Sequence, residues 1–246
     1  MSNSGNTLLL YKKIDVLSRE AHKNLHLRPA ADLGFAADTH FVPLAGNEFF
    51  LAARYYPILF VGEGEHLAPI ALLGLQPGQN LLVDGNGQWE RNSYIPAFVR
   101  RYPFVPAPQD EGFTICFDSA CKDWNDSEGN ALFDADGNNT PFLEETIRFL
   151  GSFTAEVERT NAFVAKLKEL ELLVDRTLQL RNANGESFAL RDFKTVDEAR
   201  FAQLEDVQVL ELHRAGFLGW IYAHLMSLSN ANRLFERHLA AKAGTH

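Results

Sequence analysis

The fold of this chain is organised around one stretch, which reads Gly129-Asn130-Ala131-Leu132-Phe133-Asp134-Ala135-Asp136-Gly137-Asn138-Asn139-Thr140-Pro141. It predicts a short apolar strand, a turn rich in Asp, Asn and Gly, and the start of a helix, because Gly accepts positive φ and Asn or Asp tolerates it. Thr140 can cap that helix, and Pro141 takes the first helical position, where its missing N–H loses no hydrogen bond. Apolar residues then recur at helical spacing almost to Leu172, and Gly151 is a candidate kink or break.

The same turn also mimics a calcium-binding loop. Asp134, Asp136 and Asn138 alternate, and Glu145 is the twelfth residue counted from Asp134. Such a loop needs Gly at its sixth position, which here is Asn139, and the residues before Asp134 predict a strand rather than the usual helix. A hairpin turn that leads into a helix is therefore the default interpretation. Calcium held by Asp134, Asp136, Asn138 and Glu145 is the alternative, and calcium is the one cofactor that the sequence suggests.

Composition predicts a globular protein with a substantial core. The 246 residues are 46% hydrophobic and 22% charged, which is ordinary for a globular chain. The net charge of −9 argues against broad binding to nucleic acids and to anionic lipid.

The sequence offers no sign of export or membrane insertion. The N-terminus lacks a basic segment followed by a long apolar core, and the longest largely apolar run, Phe217–Met226, is about half of a membrane span. We therefore expect a cytoplasmic protein. Cys116 and Cys121 lack zinc-ligand spacing, so we expect structural thiols rather than a disulfide.

We predict one α+β domain, with a β-rich N-terminal half of short hairpins covered by C-terminal helices. Its parts are an N-terminal extension over residues 1–35, a β-rich part over 36–139 and a mainly helical part over 140–242. A two-turn helix capped by Asn47 and a strand at Ile58–Val61 belong to the β-rich part. The segment Thr177–Ala199 is predicted as strand, turn and helix. The remaining predictions are a capping box at Thr195-Val196-Asp197-Glu198, helices over Val207–Arg214 and Phe217–Leu228, and a last helix capped by Asn230 or Asn232.

Arg100 and Arg101 form the best ligand-binding candidate. With Trp89, Tyr94 and Tyr102 nearby in sequence, two guanidinium groups could hold a carboxylate or phosphate and stack a ring. The alternative is a purely structural role, which we favour. In it, Arg101 pairs with a carboxylate at the edge of the core and Arg100 faces solvent.

No catalytic residue is assigned. The chain lacks G-x-S-x-G, GxGxxG, P-loop and H-E-x-x-H motifs, which leaves the question of an enzyme open but favours a non-enzyme. His224 lies in an apolar helix, where a histidine is usually a core residue with satisfied hydrogen bonds. His213 and His238 are predicted on helix surfaces.

Several segments together resemble the SapC family. They are Phe41-Val42-Pro43-Leu44 with Leu51–Ile58, Trp89 with Tyr94–Phe104, Leu132–Leu143, and Ala223-His224-Leu225-Met226-Ser227-Leu228. The match runs in order from about Phe41 to Leu234. The resemblance implies genetic neighbours such as surface-layer loci, TonB-dependent receptors, and flavin-dependent halogenase-like or oxygenase proteins. It carries over no catalytic residues.

Three hypotheses follow. The first is a non-catalytic binding or accessory protein that works with a surface-layer, uptake or flavin-dependent halogenase or oxygenase system, through a protein partner or a homodimer. The second is an enzyme with a pocket near Arg100, Arg101 and His224. The third is a calcium-stabilised surface-layer component. The identity of any small-molecule ligand is not contained in the sequence.

Overall fold

A computed structural model describes residues 9–110, 112–182 and 184–243 of the chain. Strands lie mostly in the N-terminal half and helices mostly in the C-terminal half, so the predicted α+β class is confirmed. The strands are β1 (Ile14–Val16), β2 (His26–Leu27), β3 (Phe41–Pro43), β4 (Ile58–Val61), β5 (Ala68–Leu72), β6 (Phe104–Pro108), β7 (Phe113–Asp118), β8 (Trp124–Asn125), β9 (Asn130–Ala131), β10 (Leu173–Arg181) and β11 (Ser187–Val196). The helices are α1 (Phe49–Ala52), α2 (Ala97–Arg100), α3 (Pro141–Glu169), α4 (Glu198–Phe201), α5 (Asp206–Arg214), α6 (Phe217–Ser227) and α7 (Asn230–Ala243).

The strands form antiparallel sheets in the orders β1-β7-β6, β10-β11-β4-β5-β3 and β8-β2-β9. β1, from the N-terminal extension, pairs with β7 in the β-rich part, and β11, from the mainly helical part, pairs with β4. The three predicted parts of the chain are therefore joined by strand pairing. Their assignment to a single domain stays a prediction, which a single cooperative unfolding transition would support.

The turn-to-helix junction follows the sequence closely. Thr140 is the N-cap of α3, its hydroxyl accepts a hydrogen bond from Leu143 N at 3.3 Å, and Pro141 is the first helical residue. Gly151 does not split the helix, which runs unbroken over 29 residues. A glycine keeps its backbone hydrogen bonds within a helix and costs only about 1 kcal/mol, so packing along the rest of α3 maintains the helix.

Helix α3 spans two hydrophobic clusters. Its first turns place Leu143 and Leu150 in a smaller cluster with Phe104 and Phe117. Its last turns place Phe163 and other residues in the main core, against the central sheet and α6. The region between the two clusters is where the candidate site lies.

His224 joins α6 to the central sheet where β4 and β11 separate. Val196 N donates to Nε2 over 3.1 Å, and Nδ1 lies 2.8 Å from the Ile58 carbonyl oxygen. Because an N–H only donates and a carbonyl only accepts, the ring is the neutral tautomer with its proton on Nδ1. Ser227, one helical turn later, accepts from Ile58 N at 2.9 Å. The two side chains thus replace strand–strand hydrogen bonds at this edge of β4.

Several local predictions were wrong at their boundaries. Asp197 caps α4, with Oδ1 accepting from Ala199 N at 3.0 Å, because the predicted capping residue Thr195 belongs to β11. Thr177–Ala199 is a two-stranded hairpin before that short helix, and residue 183 of its turn lies outside the described residues. The predicted helix after Asn47 is one turn of 3-10 helix followed by the short α1.

Two other predictions concern polar residues of the C-terminal helices. Asn230 is the first residue of α7, and its amide donates to Ala53 O at 2.7 Å. His238 was predicted on a surface, but it is buried between α7 and the β10–β11 hairpin, where its ring lies 5.9 Å from that of Phe188. Within the described part of the chain, neither of its ring nitrogens has a hydrogen-bond partner. Cys116 and Cys121 are free and buried, and Cys116 lies in the strand that the sequence predicted around it.

Candidate functional site

Helix α2 sets the directions of the two candidate arginines. It is a single turn that begins after Pro96 and ends at Arg100, and the cis peptide bond Tyr102–Pro103 follows it. Because neighbouring residues on a helix point about 100° apart, Arg100 faces outward and Arg101 faces the core.

Arg101 is a buried cation with aromatic neighbours. Only 7% of its surface is exposed. Its guanidinium carbon lies 4.1 Å from the ring centroid of Phe98 and 4.9 Å from that of Phe153. Its Nε donates to the Tyr11 hydroxyl over 3.0 Å, and that hydroxyl donates to Phe104 O over 3.0 Å. The guanidinium is thus held at one edge and flanked by rings.

The remaining N–H groups of Arg101 are available. No carboxylate oxygen of the described residues lies within 4.0 Å of this guanidinium, and neither Nη atom makes a hydrogen bond to them. The structural prediction that Arg101 pairs with a carboxylate is therefore wrong, while Arg100 is exposed as that prediction required. Burial lowers the pKa of Arg101, yet an arginine stays protonated at any physiological pH. A buried positive charge without an anionic partner is unfavourable, so this geometry favours an anion.

Arg101 lines a cavity of about 330 Å³ between α3 and the α2–β6 segment. We call it the arginine cavity. Its lining comprises aromatic and apolar groups, two guanidinium groups, one carboxylate and one hydroxyl, contributed by Leu27, Arg100, Arg101, Tyr102, Phe104, Phe142, Glu145, Thr146 and Phe149. The cavity lies where the two hydrophobic clusters meet, which explains why its walls are mostly apolar.

Arg100 closes one side of the arginine cavity. Its Nε donates to Ile95 O at 3.0 Å and its Nη2 to the Tyr94 hydroxyl at 3.2 Å. The guanidinium carbon lies 5.2 Å from the ring centroid of Phe149. These contacts hold the side chain against the cavity wall although it is exposed to solvent.

Glu48 positions α2 and was missed by the sequence analysis. Its carboxylate is buried, accepts from Ala97 N at 2.7 Å and from the Tyr94 hydroxyl at 2.8 Å through Oε1, and accepts from Ala45 N at 3.0 Å through Oε2. Burial raises the pKa of Glu48, and these hydrogen bonds oppose the rise. Burial also raises the pKa of Tyr94 to about 12. The sequence signal that could have identified Glu48 is an acidic residue within an otherwise apolar run, directly before Phe49.

The predicted ligand-binding residues are only partly brought together. Arg100, Arg101 and Tyr102 line the arginine cavity, and Tyr94 supports Arg100 from outside it. The Tyr102 hydroxyl donates to Asp118 Oδ2 at 3.2 Å, so only its ring is offered to a ligand. Trp89 does not line this cavity and packs against the main core instead.

The predicted calcium ligands are divided between two places. Asp134 Oδ1 accepts from Asn138 N at 2.8 Å inside the hairpin turn, whereas Glu145 lines the arginine cavity. Within the described residues, no group of three or more His, Cys, Asp or Glu side chains is arranged to hold a metal ion. Calcium binding stays a prediction, for which a melting temperature that rises with calcium and falls with a chelator is the test.

His224 is not part of the arginine cavity. It has no exposed surface, and both ring nitrogens hydrogen-bond to backbone groups of β4 and β11. The hypothesis of an enzyme pocket that combines Arg101 with His224 is therefore wrong, because His224 does not line the cavity of Arg101. The interpretation of His224 as a satisfied core residue is confirmed.

Residues 17–234 of the chain match the family model of SapC. The match covers most of the 246 residues and includes both arginines, Glu48 and His224. No curated protein and no solved structure matches the chain. In the part of the chain that the structure describes, no helix combines the length and apolar character needed to cross a bilayer.

Proposed function

Since the chain belongs to the SapC family, we propose that it is a cytoplasmic, non-catalytic binding protein that holds a small organic anion in the arginine cavity. One observation carries the proposal: the buried Arg101 guanidinium lines a cavity and has only the Tyr11 hydroxyl as a hydrogen-bond partner among the described residues. A carboxylate or phosphate would accept two parallel N–H bonds from its Nη atoms, which is the geometry that guanidinium groups favour.

The walls of the cavity favour a ligand with an apolar body. Phe104, Phe142 and Phe149 supply aromatic surface next to the two arginines, and burying a ring against such surface contributes roughly 25 cal/mol per Å² of apolar area. We therefore propose an aromatic or aliphatic carboxylate, or the corresponding phosphate ester, rather than a bare inorganic anion.

The test is isothermal titration calorimetry with 3-phenylpropanoate as the probe and 3-phenylpropanamide as its uncharged analogue. We expect the wild-type protein to bind the acid and not the amide. Arg101→Met keeps an unbranched apolar stem and removes the charge and the donors, so we expect about a 10- to 100-fold loss of affinity, the value of hydrogen bonds to a charged group.

Arg54→Met is the matched control, because Arg54 is exposed and contacts the Tyr55 ring on a different part of the surface. It should bind the acid as the wild type does. Equal affinity of Arg101→Met and wild type for the acid, with both folded, would refute the proposal. Equal affinity for acid and amide would refute the role of charge.

A second observation favours a protein partner. Helices α1 and α6 share an apolar surface on which Phe50 is 56%, Tyr222 60% and Met226 57% exposed. We call it the α1–α6 surface. No residue of α6 carries a formal charge, and contiguous exposed apolar side chains of this size commonly mark interaction sites. We propose that this surface binds a component of a surface-layer, uptake or flavin-dependent halogenase or oxygenase system, or a second copy of the chain.

Native mass spectrometry of the protein isolated gently from its own host tests this second function. We expect a mass above that of the 27.6 kDa chain, with a fixed ratio of partner to protein. Met226→Glu should remove the added mass, while Ser229→Glu, an exposed position just beyond α6, should retain it. A wild-type protein that stays monomeric in its host extract would contradict the proposal.

A further inference from the structure

A second cavity adjoins the arginine cavity along α3. It measures about 200 Å³ and is lined by residues that include Glu48, Ser152, Phe153 and Glu156. Arg100 and Phe149 line both cavities. We call the second one the glutamate cavity.

Both cavities use one stripe of α3. The arginine cavity takes Phe142, Glu145, Thr146 and Phe149 from the helix, and the glutamate cavity takes Phe149, Ser152, Phe153 and Glu156. These positions recur every three or four residues, so they share one face. The two sets are offset by seven residues, which corresponds to roughly 10 Å along the helix axis.

Glu156 is the unsatisfied group of the glutamate cavity. Its Oε2 is buried and has no hydrogen-bond partner among the residues that the structure describes. The Arg159 guanidinium lies 3.9 Å away, near the limit of an ion pair, and is engaged with the carbonyl of Ala215 at 3.2 Å and with the Trp220 ring. A carboxylate on a cavity wall without a donor favours a ligand that brings one.

Glu48, the other carboxylate of this cavity, is already satisfied. Its oxygens accept from two backbone N–H groups and the Tyr94 hydroxyl. It therefore adds negative potential without requiring a donor of its own. The acceptor capacity that remains open is that of Glu156.

We propose that the ligand of the arginine cavity carries an ammonium group that occupies the glutamate cavity and binds Glu156. This inference rests on the proposed function and assigns the ligand class: an amino acid in the broad sense, with an anionic end at Arg101 and a cationic end separated from it by an apolar body. The two linings are offset by roughly 10 Å along α3, so we expect the two ends of the ligand to be separated by a longer chain than in an α-amino acid.

The test compares linear ω-amino carboxylates, from 4-aminobutanoate to 10-aminodecanoate, with the monocarboxylates of the same chain length. Calorimetry gives the affinity of each pair. We expect the amine to raise the affinity at least 10-fold at one of the longer lengths and not at the shortest. Glu156→Gln should abolish that gain and leave the affinity for the monocarboxylates unchanged.

Glu158→Gln is the matched control, since Glu158 is an exposed carboxylate of α3 that lines neither cavity. It should retain the gain from the amine. If the monocarboxylates bind and no amine improves binding, or if Glu158→Gln removes the gain as Glu156→Gln does, the ammonium site at Glu156 is refuted and the proposed anion site stands. If Arg101→Met leaves monocarboxylate binding unchanged, the proposed function itself fails.

Discussion

Acidification should destabilise this protein through His224. The neutral ring accepts a hydrogen bond from Val196 N and donates to Ile58 O in the core. Protonation places a second N–H against the Val196 N–H and leaves a charge without exposed surface. Burial accordingly lowers the pKa of His224 from its ordinary value of 6.5 to about 4.

The magnitude follows from that shift. Above pH 6.5 the ring is neutral in both folded and unfolded chains and contributes no pH dependence. As the pH falls below 6.5, the unfolded chain takes up a proton that the folded one refuses until about pH 4. Stability is therefore lost between these values, and the loss at pH 5 relative to pH 8 is about 2 kcal/mol. Below pH 4 both states are protonated and the loss from this group stops growing.

Urea denaturation at pH 8 and pH 5 measures the effect for the wild type, His224→Asn and His213→Asn. His40 and His238, whose pKa values burial also lowers, add to the slope of the wild type, and Glu48 opposes it. The contribution of His224 is therefore the difference between the wild type and His224→Asn in the free energy of unfolding lost from pH 8 to pH 5. His224→Asn should be less stable at pH 8 but lose about 2 kcal/mol less on acidification.

His213 is exposed on α5, so His213→Asn should follow the wild type. If His224→Asn and the wild type lose the same free energy of unfolding between pH 8 and pH 5, the proposed role of the ring between β4 and β11 is refuted.

Three further predictions concern buried polar groups and close packing. Asp118→Asn should lower the free energy of unfolding, measured by urea titration, by about 1–3 kcal/mol. The buried carboxylate accepts a hydrogen bond from Lys12 N at 3.0 Å, which an amide nitrogen cannot accept. An unchanged free energy of unfolding would contradict this prediction. His238→Leu should raise the melting temperature, since both ring nitrogens are buried without partners among the described residues; a lower melting temperature would show that the imidazole is satisfied. Gly46→Ala should destabilise the fold by about 1–3 kcal/mol in the same titrations, because a Cβ would lie 2.2 Å from the Trp220 ring, and wild-type stability would refute that contact.

Short-range features were predictable because their causes lie within a few residues. The Asp134 turn, the Thr140 cap and the Pro141 start depend on local dihedral preferences and on one side-chain hydrogen bond, and all are found as predicted. Strand β4 and helix α6 were also predicted, since each is a short apolar run bounded by turn residues. The cap of α4 was misplaced because pairing with β10 extends β11 to Val196, which removes Thr195 from the helix.

Only the arginine-containing segment of the candidate site was predictable from the sequence. Arg100, Arg101 and Tyr102 were found from the sequence, and they do line one cavity. Glu48 and Glu156 were missed, because neither belongs to a recognisable motif and their surroundings come from distant segments. Trp89 was included because of its proximity in sequence, but the packing of the main core directs it elsewhere.

The sequence by itself determined the α+β class, the junction that starts α3 and the presence of paired arginines beside aromatic residues, because composition, dihedral preference and periodicity act locally. Only the tertiary structure decided that Arg101 is buried without a carboxylate partner in the described part of the chain, and that His224 lies between two strands. Contacts such as Arg101 with Tyr11 join residues 90 positions apart. A local sequence pattern does not determine whether a distant residue will lie close enough to pair with a buried charge.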